Sequence, residues 1–344
     1  MMTLVFTFSL LGDAWLNYWI KAHREQLPQK VCRVFLQILY VSTACLVVMC
    51  VCFLILPLPF EDWTPFWKTY PIGVIIIFIC LKIILSGVFF LQYGCSRIPA
   101  LKSQASPKHW FQAGLWAVVL AFGIMVYGTV YEAFNLRVQR EGITDKSIPE
   151  SFGGYKIVQL SDLHIGSQIS EQYTRKVVDS INAQNPDLVV FTGDMLNLHT
   201  DEMRPFVSLL SEIRAKDGIY AILGNHDYGG YLRWESQKDS MDNIQGLLNI
   251  YQSLNWQVLQ NAHTVLYRGQ DSIVLAGVDD YSSKKSKRRH SFADTKKALS
   301  GTSQSDFIVM LSHNPQHFEE ELQTDYPHVN LTLSGHSHGG QMSV

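Results

Sequence analysis

The chain has 344 residues, 17% of them charged, with a formal net charge of -2. That length accommodates two domains, and the near-neutral charge argues against a general nucleic-acid binder. All six cysteines (Cys32, Cys45, Cys50, Cys52, Cys80, Cys95) fall at or before position 95, so the remainder carries neither a disulfide nor a thiolate-bound metal.

Residues 1–131 are apolar and interrupted by short charged loops. Four stretches, 3–20, 34–58, 71–93 and 111–131, meet or nearly meet the roughly 20 apolar residues that cross a hydrocarbon core. Asp13 and Asn17 interrupt the first. That stretch is too long, and too polar at its end, for a cleaved signal peptide, and no small-residue cleavage site follows. Trp15, Trp19, Trp63, Trp67 and Trp110 lie near the expected helix ends, where interfacial aromatics gather. The first loop carries Lys21, Arg24, Lys30 and Arg33, and the third carries Arg97, Lys102 and Lys108. The second has Glu61 and Asp62 against Lys68. The excess of basic residues places the first and third loops in the cytoplasm, which puts both termini and the C-terminal domain on the extracytoplasmic side. Three spans instead of four would move the N-terminus but leave that domain outside. Asp13 and Lys82 fall within expected spans, and intramembrane charges are functional candidates. The plainer alternatives are an interfacial first helix and a lysine that snorkels or pairs.

Residues 132–154 mix charges with Gly142, Pro149, Gly153 and Gly154 and read as a linker. Strands and helices then alternate. Strands are expected at 155–160, 187–192, 218–223, 256–260, 263–268, 272–277, 306–311 and 329–333, with helices at 171–184, 202–215, 241–253 and 315–323. The three closely spaced strands 256–277 suggest antiparallel or edge pairing. The result is an α/β domain over 155–344, with mixed sheets, packed as two layers and flanked by helices.

Five short motifs each follow a β-branched, apolar run: Asp162-Leu163-His164, Gly193-Asp194, Gly224-Asn225-His226-Asp227, His313, and Gly335-His336-Ser337-His338. Ligands in α/β sheets gather beyond the carboxyl ends of strands, so these residues converge on one site. Carboxylates, imidazoles and an amide oxygen without thiolates suit Mn, Fe or Zn better than Ca, and argue against a structural zinc. Singly, each motif reads equally well as a turn or a cap; a metal site requires them together.

The ordered set resembles that of the calcineurin-like metallophosphoesterases, over about residues 155–340. The apolar N-terminal part lies outside the resemblance. The resemblance implies two divalent metals, one held by Asp162, His164 and His338 and the other by Asn225, His313 and His336, with Asp194 bridging both. It implies in-line attack on phosphorus by a hydroxide between metals about 3.5–4 Å apart, with His226 contacting the phosphate or protonating the leaving oxygen. Many relatives place a carboxylate three residues after the bridging aspartate to orient that histidine. Here Asn197 stands there, and its amide is expected to take that place. Relatives also continue past Val344 with further strands, so a C-terminally truncated domain is expected. Gly339 and Gly340 allow close backbone approach beside His338.

The reading is therefore a membrane-anchored, metal-dependent phosphoesterase. Its substrate is a phosphomonoester, phosphodiester or pyrophosphate at the membrane or envelope surface, and lipid-linked substrates fit. A catalytically silent membrane sensor that binds a phosphorylated ligand is the alternative. A third reading, transport by the helices, rests on Asp13 and Lys82 alone. The basic run Lys284–Arg289 reads either as a contact for anionic headgroups or phosphorylated substrate or as a solvated loop. His199, His263, His290, His317 and His328 match no motif and read as structural.

Overall fold

The computed structural model describes residues 2–55, 65–166, 170–232, 234–283 and 291–337. The chain forms two compact units, Met1–Asn135 and Leu136–Val344.

Among the described residues the first unit contains four α-helices: α1 (Met2–Ala22), α2 (Gln29–Ile55), α3 (Pro65–Arg97) and α4 (Pro107–Val130). Each falls on one of the four expected apolar stretches, and positions 56–58 lie outside the described residues. Among the described residues, Gly73–Arg97 and Pro107–Val130 are long and apolar enough to cross a membrane. Pro107 starts α4 because a first-turn amide has no intrahelical partner to lose. The core gathers Leu16, Trp19, Ile20, Leu39, Leu85, Phe89 and Phe111. Trp19 differs from the interfacial expectation. Its ring stacks on Phe89 at 3.8 Å, and its indole N–H donates to Gln92 at 2.8 Å, so it is a packing residue of the bundle. Lys82 Nζ lies 3.0 Å from Asp13 Oδ2. Thr43 donates to the same carboxylate oxygen and accepts from Lys82 at 2.9 Å, tying α1, α2 and α3 together.

In the second unit, β1 (Ile157–Leu160), β2 (Leu188–Thr192), β3 (Ile219–Ile222) and β4 (Gln257–Val258) form a parallel sheet in that order. A second sheet follows the order β5 (Ala262–Arg268), β6 (Asp271–Gly277), β7 (Ile308–Leu311), β8 (Leu331–Leu333), antiparallel at its first pair and parallel thereafter. Side chains that alternate along each strand build three layers of core. Leu188 and Val190 of β2, with Leu275 of β6 and Val309 of β7, fill the space between the sheets. Val189 and Phe191 face α5 (Glu171–Ala183), α6 (Val207–Leu210) and α7 (Gln237–Ser253) through Val177, Val178, Leu210 and Leu247. Val274, Ala276, Ile308 and Met310 pack against Ala298 of α8 (Thr295–Ala298) and against Leu322.

Several expected elements differ. The helix expected over 202–215 is a 3-10 segment, Thr200–Phe206, followed by the single α-turn of α6. Pro205 cannot donate within it, which limits regular α-helical bonding. The helix expected over 315–323 is a π-helical turn, Phe318–Leu322, running into Gln323–Asp325. Helix α7 starts at Gln237, ahead of the expected 241, because Ser236 caps the amide of Asp239. The expected strand 256–260 reduces to two residues paired in parallel at a sheet edge, and α8 went unexpected.

Candidate metal centre

The loops that leave β1, β2, β3, β7 and β8 carry the five motifs, so both sheets deliver side chains to one place. Local backbone strain marks that place. Asp162, His164, Asp194 and His336 all adopt positive φ, between 44° and 67°. Residues with a Cβ seldom occupy this region, and they hold it only where the surroundings over-determine it. The surroundings here are cross-loop bonds: Asp162 N–H donates to Gly193 O at 3.0 Å, and His164 N–H to Asp194 O at 3.1 Å. Gly193 has φ 97°, and a Cβ there would fall 2.7 Å from His313 Nδ1 and from the amide nitrogen of Gly224. Only glycine lets the β2, β3 and β7 loops meet.

Asp194, 1% exposed, stands at the centre. Its Oδ2 lies 3.2 Å from His313 Nε2 and 3.7 Å from His164 Nε2, and its Oδ1 accepts the His226 amide at 2.8 Å. Two groups of ligand atoms result, His164–Asp194–His226 and Asp194–His313–His336, and Asp194 is common to both. Asp162 adjoins it, with its carboxylate accepting the His336 amide at 2.9 Å and its Oδ1 4.0 Å from His164 Nε2. His313 donates Nδ1–H to Thr192 O at 2.7 Å, which fixes the tautomer that offers Nε2 to the centre. Asn225 is buried, and its Oδ1 has no hydrogen-bond partner among the described residues. A buried amide oxygen left so is expensive unless a cation takes it. This orphan oxygen, beside clustered carboxylates and imidazoles, fits a divalent metal. The structure thus brings together Asp162, His164, Asp194, Asn225, His226, His313 and His336. His338 lies outside the described residues, as do His290, Gly339, Gly340 and the basic run 284–289.

The electrostatics follow from burial and neighbours. Burial pushes the Asp194 carboxyl up, but the hydrogen bond and charge of His313, then the His226 contacts, outweigh it and hold it below the usual range. Burial pulls His313 down, and Asp194 reverses that, raising it to about 9.

Three residues were given no role by the sequence reading. Asp227, fully buried, closes the motif Gly224–Asp227. Its Oδ2 accepts the amides of Asp194 and Gly224 at 2.9 Å each, and its Oδ1 accepts Leu196 N–H at 3.0 Å. Burial, then the Asp194 charge, raises it to about 7 against the pull of those amides. Its place as a charged residue at a strand-end motif was the available signal. Glu202 accepts the amides of Asn197 and Leu198 at 2.9 Å each. The ring of Tyr231 stacks on His226 at 4.3 Å. Neither carried a motif. Asn197 corrects an expectation: its backbone carbonyl, not its side-chain amide, meets His226 Nδ1 at 2.7 Å. Any residue at 197 supplies that carbonyl, so the missing carboxylate does not leave the imidazole unheld. His263 and His317 bond to neighbouring backbone and hydroxyl groups, as structural histidines do.

A model of the calcineurin-like phosphoesterase family matches residues 155–340. The chain is 28% identical over 327 residues to a transmembrane protein with metallophosphoesterase domain from Danio rerio, covering 92% of this chain and 69% of that protein. It is 33% identical over 245 residues to the metallophosphoesterase YkuE of Bacillus subtilis (strain 168), covering 69% and 77%. It is 30% identical over 256 residues to the UDP-2,3-diacylglucosamine pyrophosphatase LpxG of Chlamydia trachomatis, covering 64% and 74%.

Proposed function

The chain belongs to the calcineurin-like phosphoesterase family, and from that premise we propose that it is a membrane-anchored hydrolase of a lipid-linked phosphoester or pyrophosphate on the extracytoplasmic surface. The observation that carries the reading is Asp194, shared between two groups of ligand atoms. Asp162, His164 and His338 would hold one cation, and Asn225, His313 and His336 the other. Mn, Fe or Zn suits these ligands. When bound, such a pair supplies Lewis-acid polarisation of the phosphoryl group and an acidified water.

The chain's own residues do the rest. Asp162 and Asp194 offset the positive charge of the cations, and the neutral imidazoles and the Asn225 amide complete the ligand set without excess negative charge. Thr192 O and Asn197 O orient His313 and His226. Because a carbonyl accepts the Nδ1 proton of a neutral or a cationic ring alike, His226 Nε2 is the nitrogen that gives the leaving oxygen its proton. The basic first and third loops support the orientation. The transmembrane relative and the pyrophosphatase relative support a substrate at the membrane.

The test is hydrolysis by the full chain in detergent with added Mn²⁺. Phosphomonoester, phosphodiester and lipid-linked pyrophosphate substrates are compared beside Asp194→Asn. Turnover that falls by more than about 10²-fold in the variant is expected, since an outer-shell partner alone costs roughly 10–100-fold. Equal, negligible rates in both proteins would overturn the reading in favour of a binding-only site.

A further inference from the structure

Tyr231 lies four positions beyond Asp227, and the chain doubles back to place it over the motif. Gly229 adopts φ 63°, its N–H donates to His226 O at 2.9 Å, and Leu232 N–H donates to Gly229 O at 3.1 Å. The tight turn returns the Tyr231 ring onto the His226 imidazole, 4.3 Å between centroids and 27° between planes. At the same time the Tyr231 hydroxyl oxygen accepts Asn225 Nδ2–H at 3.0 Å. Burial does not explain this placement, because Tyr231 is 47% exposed. A carboxamide has one oxygen edge and one nitrogen edge. With Nδ2 committed to Tyr231, Oδ1 is turned the other way, and it is the atom with no hydrogen-bond partner among the described residues.

We infer that Tyr231 is a positioning residue with two tasks: its hydroxyl selects the Asn225 amide orientation that presents Oδ1 to a divalent cation, and its ring fixes the plane of His226. The inference rests on the two-metal reading above. Outer-shell partners of this kind tune metal affinity, and the two tasks separate by substitution. Tyr231→Phe keeps the ring and removes the acceptor, so the amide turns freely. Tyr231→Leu removes both.

The experiment titrates Mn²⁺ calorimetrically into the full chain in detergent and measures kcat and KM at saturating Mn²⁺. Tyr231→Phe is expected to weaken one of the two Mn²⁺ affinities by roughly 10–100-fold, with a smaller fall in kcat at saturating metal than Tyr231→Leu shows. Tyr231→Leu is expected to show the same affinity loss and a lower kcat at unchanged KM. Asn225→Asp presents an oxygen in either orientation, so in that background Tyr231→Phe is expected to have no effect on affinity. Parent-like affinity in Tyr231→Phe, or an equal loss in the Asn225→Asp background, overturns the inference and leaves the two-metal reading standing. A parent chain that binds no Mn²⁺ overturns both. The thermal midpoint of each variant confirms folding, which a half-exposed ring change is expected to preserve.

Discussion

In the helical unit Lys82 meets Asp13 at 3.0 Å, and both share Thr43, so one positive and one negative charge cancel across three helices. In the α/β unit Asp194 is more deeply buried, and its ion-pair partners are the imidazoles of His164 and His313. An ammonium group is a donor and no metal ligand, whereas a histidine yields its proton to a metal, which binds only the neutral ring. The first cluster therefore fixes helices in register, and the second can exchange protons for cations. Within the α/β unit a further division appears. Asp194 faces the centre, while Asp227 and Glu202 face away from it and grip backbone amides.

The largest effect is expected where a gripping carboxylate is removed from the fully buried position. Asp227→Ala strips acceptors from three amides, each worth about 1–3 kcal/mol when left unsatisfied, so the loss is at least about 3 kcal/mol. The thermal midpoint is expected to fall by about 6–12 °C, and hydrolysis to be lost with it. Asp227→Asn keeps one acceptor oxygen and is expected to fall between. An alanine variant with the parent midpoint would show that Asp227 belongs with the metal-facing carboxylates and not with the gripping ones.

The helical cluster is tested next. Lys82→Met leaves Asp13 among apolar helices without its cation, a cost of roughly 2–3 kcal/mol. Trp15 and Trp19 of α1 report it by fluorescence during thermal unfolding in detergent. The double variant Asp13→Leu with Lys82→Met removes both charges and is expected to regain the midpoint and to hydrolyse substrate at the parent rate. If the double variant folded but lost hydrolysis, the helices would take part in the reaction and the distinction between a structural and an exchangeable cluster would fail.

How much of this was legible follows from the physics of each element. Strand β2 reads plainly because Leu188–Thr192 is buried on both faces and so is apolar throughout. The ligand residues read plainly because their chemistry is carried by side-chain type at strand ends. Asn197 did not, because its contribution is a carbonyl that every residue has. Trp19 was misplaced because an indole near a helix end suits an interface as well as a bundle core, and Gln92, 73 positions away, decides between them. Helix α8, with four residues, is too short for any period to show, and β4 keeps only two residues of the strand expected at 256–260.

The smallest expected effect sharpens the division between carboxylates that face the centre and those that hold its frame. Glu202 Oε2 accepts Leu198 N–H, the amide of the peptide whose Asn197 carbonyl holds His226 Nδ1, so it acts on the imidazole at one remove. Glu202→Ala frees that peptide. It is expected to lower kcat by about 10-fold, the mild end for an outer-shell partner, while KM and Mn²⁺ stoichiometry stay unchanged. Glu202→Gln retains an oxygen that accepts the same two amides and is expected to restore kcat. A metal-facing carboxylate would behave oppositely: the amide variant would fail, because a neutral oxygen no longer offsets cationic charge. Steady-state kinetics on the two variants at saturating Mn²⁺ therefore assign Glu202 to one class or the other, and a glutamine variant as impaired as alanine would move it into the charge-balancing set.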